Sequence, residues 1–164
     1  ARAEVDRSML SGNVDIQAFI DVPADLPAAW EVLTDYNRLA EFVPDMESSR
    51  IVSKPGEGIK VYQRGKKSWL LVDMPLELVF RMDETPPSRI HFSLVSGNIG
   101  DMYGEWRLSM FGQGVRIKYV AHMKPGLFSP RVPGDSLLIE SDIENMMQSI
   151  GREILRRKNL TTRP

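Results

Sequence analysis

At 164 residues the chain fits one domain with a core of its own and is short for two. Apolar content of 42%, charged content of 26% and a net charge of −1 leave no global field that would gather nucleic acid or an anionic membrane. Cysteine is absent, which excludes disulfides, thiolate metal sites and cysteine nucleophiles, and no uncharged apolar run approaches the roughly 18 residues of a membrane span.

The Ala1–Asp6 start carries acids and no apolar stretch, so it does not read as a signal peptide. This favours a cytoplasmic location, with a removed targeting segment left open. Residues 1–12 are polar, end at Ser11-Gly12 and read as a flexible arm ahead of a single domain over residues 13–160. Val14, Ile16, Ala18, Ile20 and Val22 alternate with polar residues as on a half-buried strand, and Phe19 breaks the pattern. Asp25 is placed to cap a helix over Leu26–Leu33, with Pro27 tolerated in its first turn and Trp30 and Leu33 buried. A second short helix spans Tyr36–Phe42 and stops at Pro44.

Turn signals then punctuate a meander, at Lys54–Gly58, Glu84–Pro87, Ser96–Asn98 and Phe111–Gly114. They separate six strands near Met46–Ser53, Ile59–Ser68, Leu70–Met82, Arg89–Val95, Met102–Met110 and Val115–Met123. Short connections imply antiparallel pairing. After the Pro- and Gly-rich segment Lys124–Gly134, Asp135 or Ser136 caps a long helix. Its stripe of Ile139, Ile143, Met147, Ile150 and Ile154 needs an apolar partner, and Arg156, Arg157 and Lys158 suit its C-terminal dipole. The fold class is α+β. A curved antiparallel sheet of seven strands wrapped around the terminal helix, with two short helices after the first strand, satisfies every apolar face.

Parity sorts the chemistry of the strands. Met74, Leu76, Leu78, Phe80 and Met82 share one face, as do Ile90, Phe92 and Leu94. Trp106, Leu108 and Met110 form a third apolar face, and Val115, Ile117, Tyr119, Ala121 and Met123 a fourth. Tyr119 is the one clear hydroxyl on these inner faces, and a one-residue slip would add Gln63, Arg64 or Tyr103. His91 and His122 fall on the solvated outer face. There Glu77, Arg81, Arg89, Glu105, Arg107, Arg116 and Lys118 read as cross-strand ion pairs. The acid pairs Asp83/Glu84 and Asp142/Glu144 read as surface residues without metal-site company. The interior methionines Met74, Met82, Met110, Met123, Met146 and Met147 suit either an adaptable pocket or a packed core. Lys66–Trp69, with Arg64, reads as a solvated hairpin end or a contact for an acidic group. Leu127-Phe128 reads as a lid or transient membrane or protein contact, or as a loop tucked under the helix.

Val22-Pro23-Ala24, the Ala29–Tyr36 run Ala-Trp-Glu-Val-Leu-Thr-Asp-Tyr, then Leu39, Phe42, Val43 and Pro44, with Ser49-Arg50 beyond, resemble the opening of the polyketide cyclase/dehydrase and lipid-transport group of the START-like superfamily. That superfamily also holds coenzyme-Q-binding and pollen-allergen branches. The resemblance is strong over residues 14–52 and implies the helix-grip fold and a ligand held between sheet and helix. Relatives bind lipids, sterols, quinones or polyketides, and some are cyclases.

The leading expectation is therefore a carrier for an apolar small molecule such as a lipid, an isoprenoid quinone or a polyketide-like ring, more a binder than an enzyme. The expected sheet wall is Leu76, Leu78, Phe80, Phe92, Leu94, Trp106, Leu108, Ile117 and Tyr119, and the helix wall Ile143, Met147 and Ile150. Tyr119 supplies the orienting hydrogen bond. No catalytic residue, metal or cofactor is assigned, no nucleic acid partner is expected, and oligomeric state is left open. The alternatives are an aromatase/cyclase or dehydratase using Tyr119 and one nearby cation, and a protein-interaction module with a filled core that uses the Lys66–Trp69 hairpin end or the Leu127-Phe128 loop.

Overall fold

Burial alternates along the strands as the pleat requires, and it sets which face of the sheet meets the helix. The structure is a computed structural model that describes residues 1–7, 12–66, 75–124 and 135–162. In chain order the elements are β1 (Arg2–Arg7), β2 (Val14–Val22), α1 (Leu26–Leu33), a 3₁₀ helix (Tyr36–Glu41), β3 (Met46–Ile51), β4 (Ile59–Gly65), β5 (Leu76–Thr85), β6 (Arg89–Gly97), β7 (Asp101–Phe111), β8 (Gly114–Lys124) and α2 (Asp135–Thr161). One antiparallel sheet orders them β1-β2-β8-β7-β6-β5-β4-β3 and curves around α2, which is the helix-grip arrangement.

The sheet has eight strands where seven are expected. Arg2–Arg7, inside the segment read as a loose arm, pairs along β2 from Arg2↔Phe19 to Arg7↔Val14. Only Ala3 and Val5 give β1 an apolar parity, so its local signal is weak. Distant groups hold it instead. The Ala3 N–H donates to Glu144 and the Val5 N–H to Glu140, each at 3.3 Å, so two carboxylates of α2 cap the edge of the sheet.

At the start of α1, Asp25 caps the helix by accepting from the Ala28 N–H at 2.9 Å. Ala29, Val32 and Leu33 are buried, while Trp30 is half-buried. The stripe Ile139, Ile143, Met147, Ile150 and Ile154 is buried along its whole length against the sheet. Phe19, the residue that breaks the β2 pattern, lies under the Arg116 guanidinium at 4.5 Å on the outer face. Gly104 of β7 is required by packing: a Cβ there would lie 2.0 Å from the Val120 carbonyl oxygen and 2.8 Å from the Phe92 ring. The end of α2 is pinned by charge. Glu153 accepts from Arg156 and Arg157, and Arg157 also donates to Asp35 at 2.8 Å, beside the 3₁₀ helix.

Candidate functional site

Inside the curve of the sheet two adjoining chambers lie between the strands and α2. The inner one, of about 110 Å³, is walled by Leu33, Tyr36 and Leu39 from the helical corner, by Phe80, Ile90, Phe92 and Trp106 from the sheet, and by Met146 and Ile150 from α2. The outer one, of about 150 Å³, is walled by Leu76, Leu78, Met123, Ile139 and Ile143. Val43, Met46, Gln63, Phe80, Met102, Tyr119 and Met146 line both. The chambers therefore meet along a common wall.

Aromatic contacts fix the inner chamber. Trp106 lies against Tyr119 with ring centres 4.5 Å apart, Phe92 stacks on Tyr119 at 5.8 Å, and Phe80 meets Phe92 edge-on at 5.7 Å. Gly104 leaves the space into which the Phe92 ring fits. Apart from the indole N–H of Trp106, the polar groups among the described residues of this wall are Tyr36, Gln63 and Tyr119. Burial raises both tyrosine phenols above their ordinary range, and nearby Glu84 adds to the rise at Tyr36. The Tyr36 hydroxyl is sealed from solvent with no hydrogen-bond partner among the described residues, while its backbone carbonyl accepts from Ser49 Oγ at 2.6 Å.

Among the described lining residues, charge appears only in the outer chamber, on Asp45, Arg64 and Asp142. Arg64 is 45% exposed and already meets Glu47 at 3.3 Å and Glu77 at 3.6 Å. Asp45 adopts φ +62°, and Gly65 sits so close that a Cβ would be 2.4 Å from the Asp45 carbonyl oxygen. The Lys66 N–H closes this corner by donating to the same oxygen at 3.0 Å.

Of the twelve expected site residues, Leu76, Leu78, Phe80, Phe92, Trp106, Tyr119, Ile143 and Ile150 line one or both chambers. Leu108, Ile117 and Met147 are buried in the surrounding core, and Leu94 is half-buried; none of these four lines a chamber. Met110 departs from the inner assignment, being 58% exposed at the β7–β8 hairpin, where parity holds but nothing covers the face. Gln63 turns inward on the same side of β4 as the fully buried Val61, whereas Tyr103 stays outside, 46% exposed against His122.

Three of the four acids in the pairs Asp83/Glu84 and Asp142/Glu144 are placed differently from expectation, while Asp83 is exposed as expected. Glu84 is half-buried with its carboxyl raised by burial, Asp142 lines the outer chamber, and Glu144 holds β1. Both histidines point away from the cavity, His122 meeting Asp15 at 2.6 Å. Among the outer charges, Arg89 of β6 meets Glu105 of β7 at 2.7 Å, Arg116 of β8 meets Asp21 of β2 at 2.7 Å, and Arg107 meets Glu105 at 2.7 Å within β7 itself. No group of three metal-binding side chains occurs among the described residues, and none of their helices is long and apolar enough to cross a membrane. Lys67–Trp69, the strand start Leu70–Met74 and the Leu127-Phe128 segment lie outside the described residues.

A profile of the polyketide cyclase / dehydrase and lipid transport family matches residues 22–150, from the end of β2 to the middle of α2. The chain belongs to this family. No curated protein matches it in sequence. Among solved structures, family members and START-like proteins share its fold. The Zhui aromatase/cyclase from a Streptomyces species superposes with a TM-score of 0.73 at 17% identity, over 88% of this chain and 95% of that one. A STAR-related lipid transfer protein from Xanthomonas axonopodis gives 0.72 at 15% identity, over 93% and 92%. A START superfamily protein from Mycobacterium smegmatis gives 0.71 at 10%, over 87% and 97%. At these identities the likeness is one of fold.

Proposed function

We propose that this family member is a carrier or chaperone for a hydrophobic small molecule, held between the sheet and α2. The observation that carries this reading is the chemistry of the inner chamber: aromatic and aliphatic walls, two phenols and one amide, and no charged side chain among its described lining residues. A lipid, an isoprenoid quinone or a polyketide-like ring fits such walls. Affinity then comes from area. Burying about 300 Å² of apolar ligand at roughly 25 cal/mol per Å² contributes a gross ~7 kcal/mol before the entropic costs of association. The methionines Met46, Met102 and Met146 let the shared wall adapt to guests of different outline.

Native mass spectrometry of protein purified from cells, followed by organic extraction, tests the proposal. A carrier emerges with a stoichiometric apolar passenger, and Tyr119→Phe retains it with little loss. A bare chain mass together with turnover of a poly-ketone substrate, abolished by Tyr119→Phe, would make the protein an aromatase/cyclase instead.

A further inference from the structure

The wall shared by the two chambers is apolar (Val43, Met46, Phe80, Met102 and Met146) except for Gln63 and Tyr119. These two come from β4 and β8, which three strands separate in the sheet, and the curvature turns both inner faces toward one space. Neither side chain makes a hydrogen bond to a described residue, and neither is among the polar groups sealed away from any void. Two hydrogen-bonding groups without a partner among the described residues therefore lie where the chambers meet. On either side, the chambers of about 110 and 150 Å³ approach the size of a cavity that takes up benzene, roughly 150 Å³. Each accommodates a ring-sized apolar lobe.

We propose that the ligand is a neutral, two-lobed molecule whose middle section carries a carbonyl or hydroxyl oxygen, and that Gln63 is the residue that selects for that oxygen. The inference rests on the carrier reading and adds to it the shape and polarity of the cargo. An amide donates an N–H to a carbonyl and accepts from a hydroxyl, so Gln63 serves either oxygen. The Tyr119 phenol, kept protonated by burial, adds a second donor. A charged middle section is disfavoured, because the described residues of the shared wall supply no counter-ion and desolvation would be uncompensated. A wholly apolar cargo leaves both groups unpaired, which is the basis of discrimination.

Benzophenone and diphenylmethane test this directly: both are two rings joined at one carbon, which is a carbonyl in the first and a methylene in the second. Calorimetric titration of the wild type, Gln63→Met and Tyr119→Phe gives the affinity ratio of the two probes in each protein, so differences in probe hydration cancel. The ratio should fall about tenfold in Gln63→Met and severalfold in Tyr119→Phe, with diphenylmethane binding nearly unchanged. Gln63→Met nearly conserves volume, and Tyr119→Phe removes one oxygen, so the test survives if either variant folds poorly. An unchanged ratio in all three proteins overturns the selectivity of Gln63 and leaves the carrier reading standing. Failure of the wild type to bind either probe overturns both.

Discussion

Replacing Glu153 by glutamine tests the charged clamp that holds α2 over the inner chamber. Glu153 is 7% exposed, and its carboxyl is held down at about 2, first by the hydrogen bond from Arg156 and further by Arg157, against the opposing effect of burial. An ordinary glutamate titrates near 4.5, so the folded state favours the carboxylate by about 3 kcal/mol. The folded value is depressed. The contribution is therefore complete above the unfolded value, near 4.5, and is lost as pH falls toward 2. Arg156 is 53% exposed and screened by solvent, which brings the expected loss in Glu153→Gln at pH 7 to about 2–3 kcal/mol. Arg157 retains Asp35 at 2.8 Å, so the variant should still fold. Urea unfolding followed by circular dichroism, at pH 7 and pH 3, compares wild type and variant. The difference between them should shrink by about 2 kcal/mol at the lower pH. An equal difference at both pH values would refute the argument, because the loss would then arise from packing rather than from the carboxylate charge.

Two further substitutions address the frame of the cavity. Gly104→Ala drives a methyl into the Val120 carbonyl and the Phe92 ring, and should lower stability by about 1–3 kcal/mol. In a chain of this size that is a fall in Tm of roughly 2–12 °C, and an unchanged Tm would show that the β7–β8 pair absorbs the clash freely. Glu140→Ala with Glu144→Ala removes both acceptors of the β1 edge. Hydrogen exchange at the Ala3 and Val5 amides should then accelerate far more than at the central β8 amides, whereas equal protection would mean that pairing with β2 alone holds the strand.

The sheet and helix are legible in the sequence because each repeats its own period over many residues. Val115 to Met123 alternates at every position but Val120, and Ile139 to Ile154 keeps one face. β1 is hidden because Arg-Ala-Glu-Val-Asp-Arg is mostly charged, and the groups that hold it arrive from more than 130 residues away. Parity indicates which side of a strand a residue occupies but not whether anything covers that side. Met110 shares the face of Leu108 yet meets solvent. Leu108, Ile117 and Met147 are buried on the faces that periodicity predicts, but whether a face borders a void or solid core depends on how far opposing elements stand apart. Gln63 was legible only as a possible register slip, since a polar residue following Val61 at strand period carries no apolar signal. Leu33 of α1 and Tyr36 of the 3₁₀ helix wall the inner chamber, yet nothing in their helical spacing separates a cavity lining from an ordinary buried helix face.

The central claim is that an apolar guest occupies the space between sheet and helix, and methionine methyl resonances report on that space directly. Met46, Met102 and Met146 line both chambers, while Met110 stands 58% exposed at the β7–β8 hairpin as an internal control. Titrating methyl-labelled protein with benzophenone should shift the three cavity methyls together, saturably and at one equivalent, and leave Met110 unmoved. Saturable binding that leaves Met46, Met102 and Met146 in place would put the guest elsewhere and contradict the account.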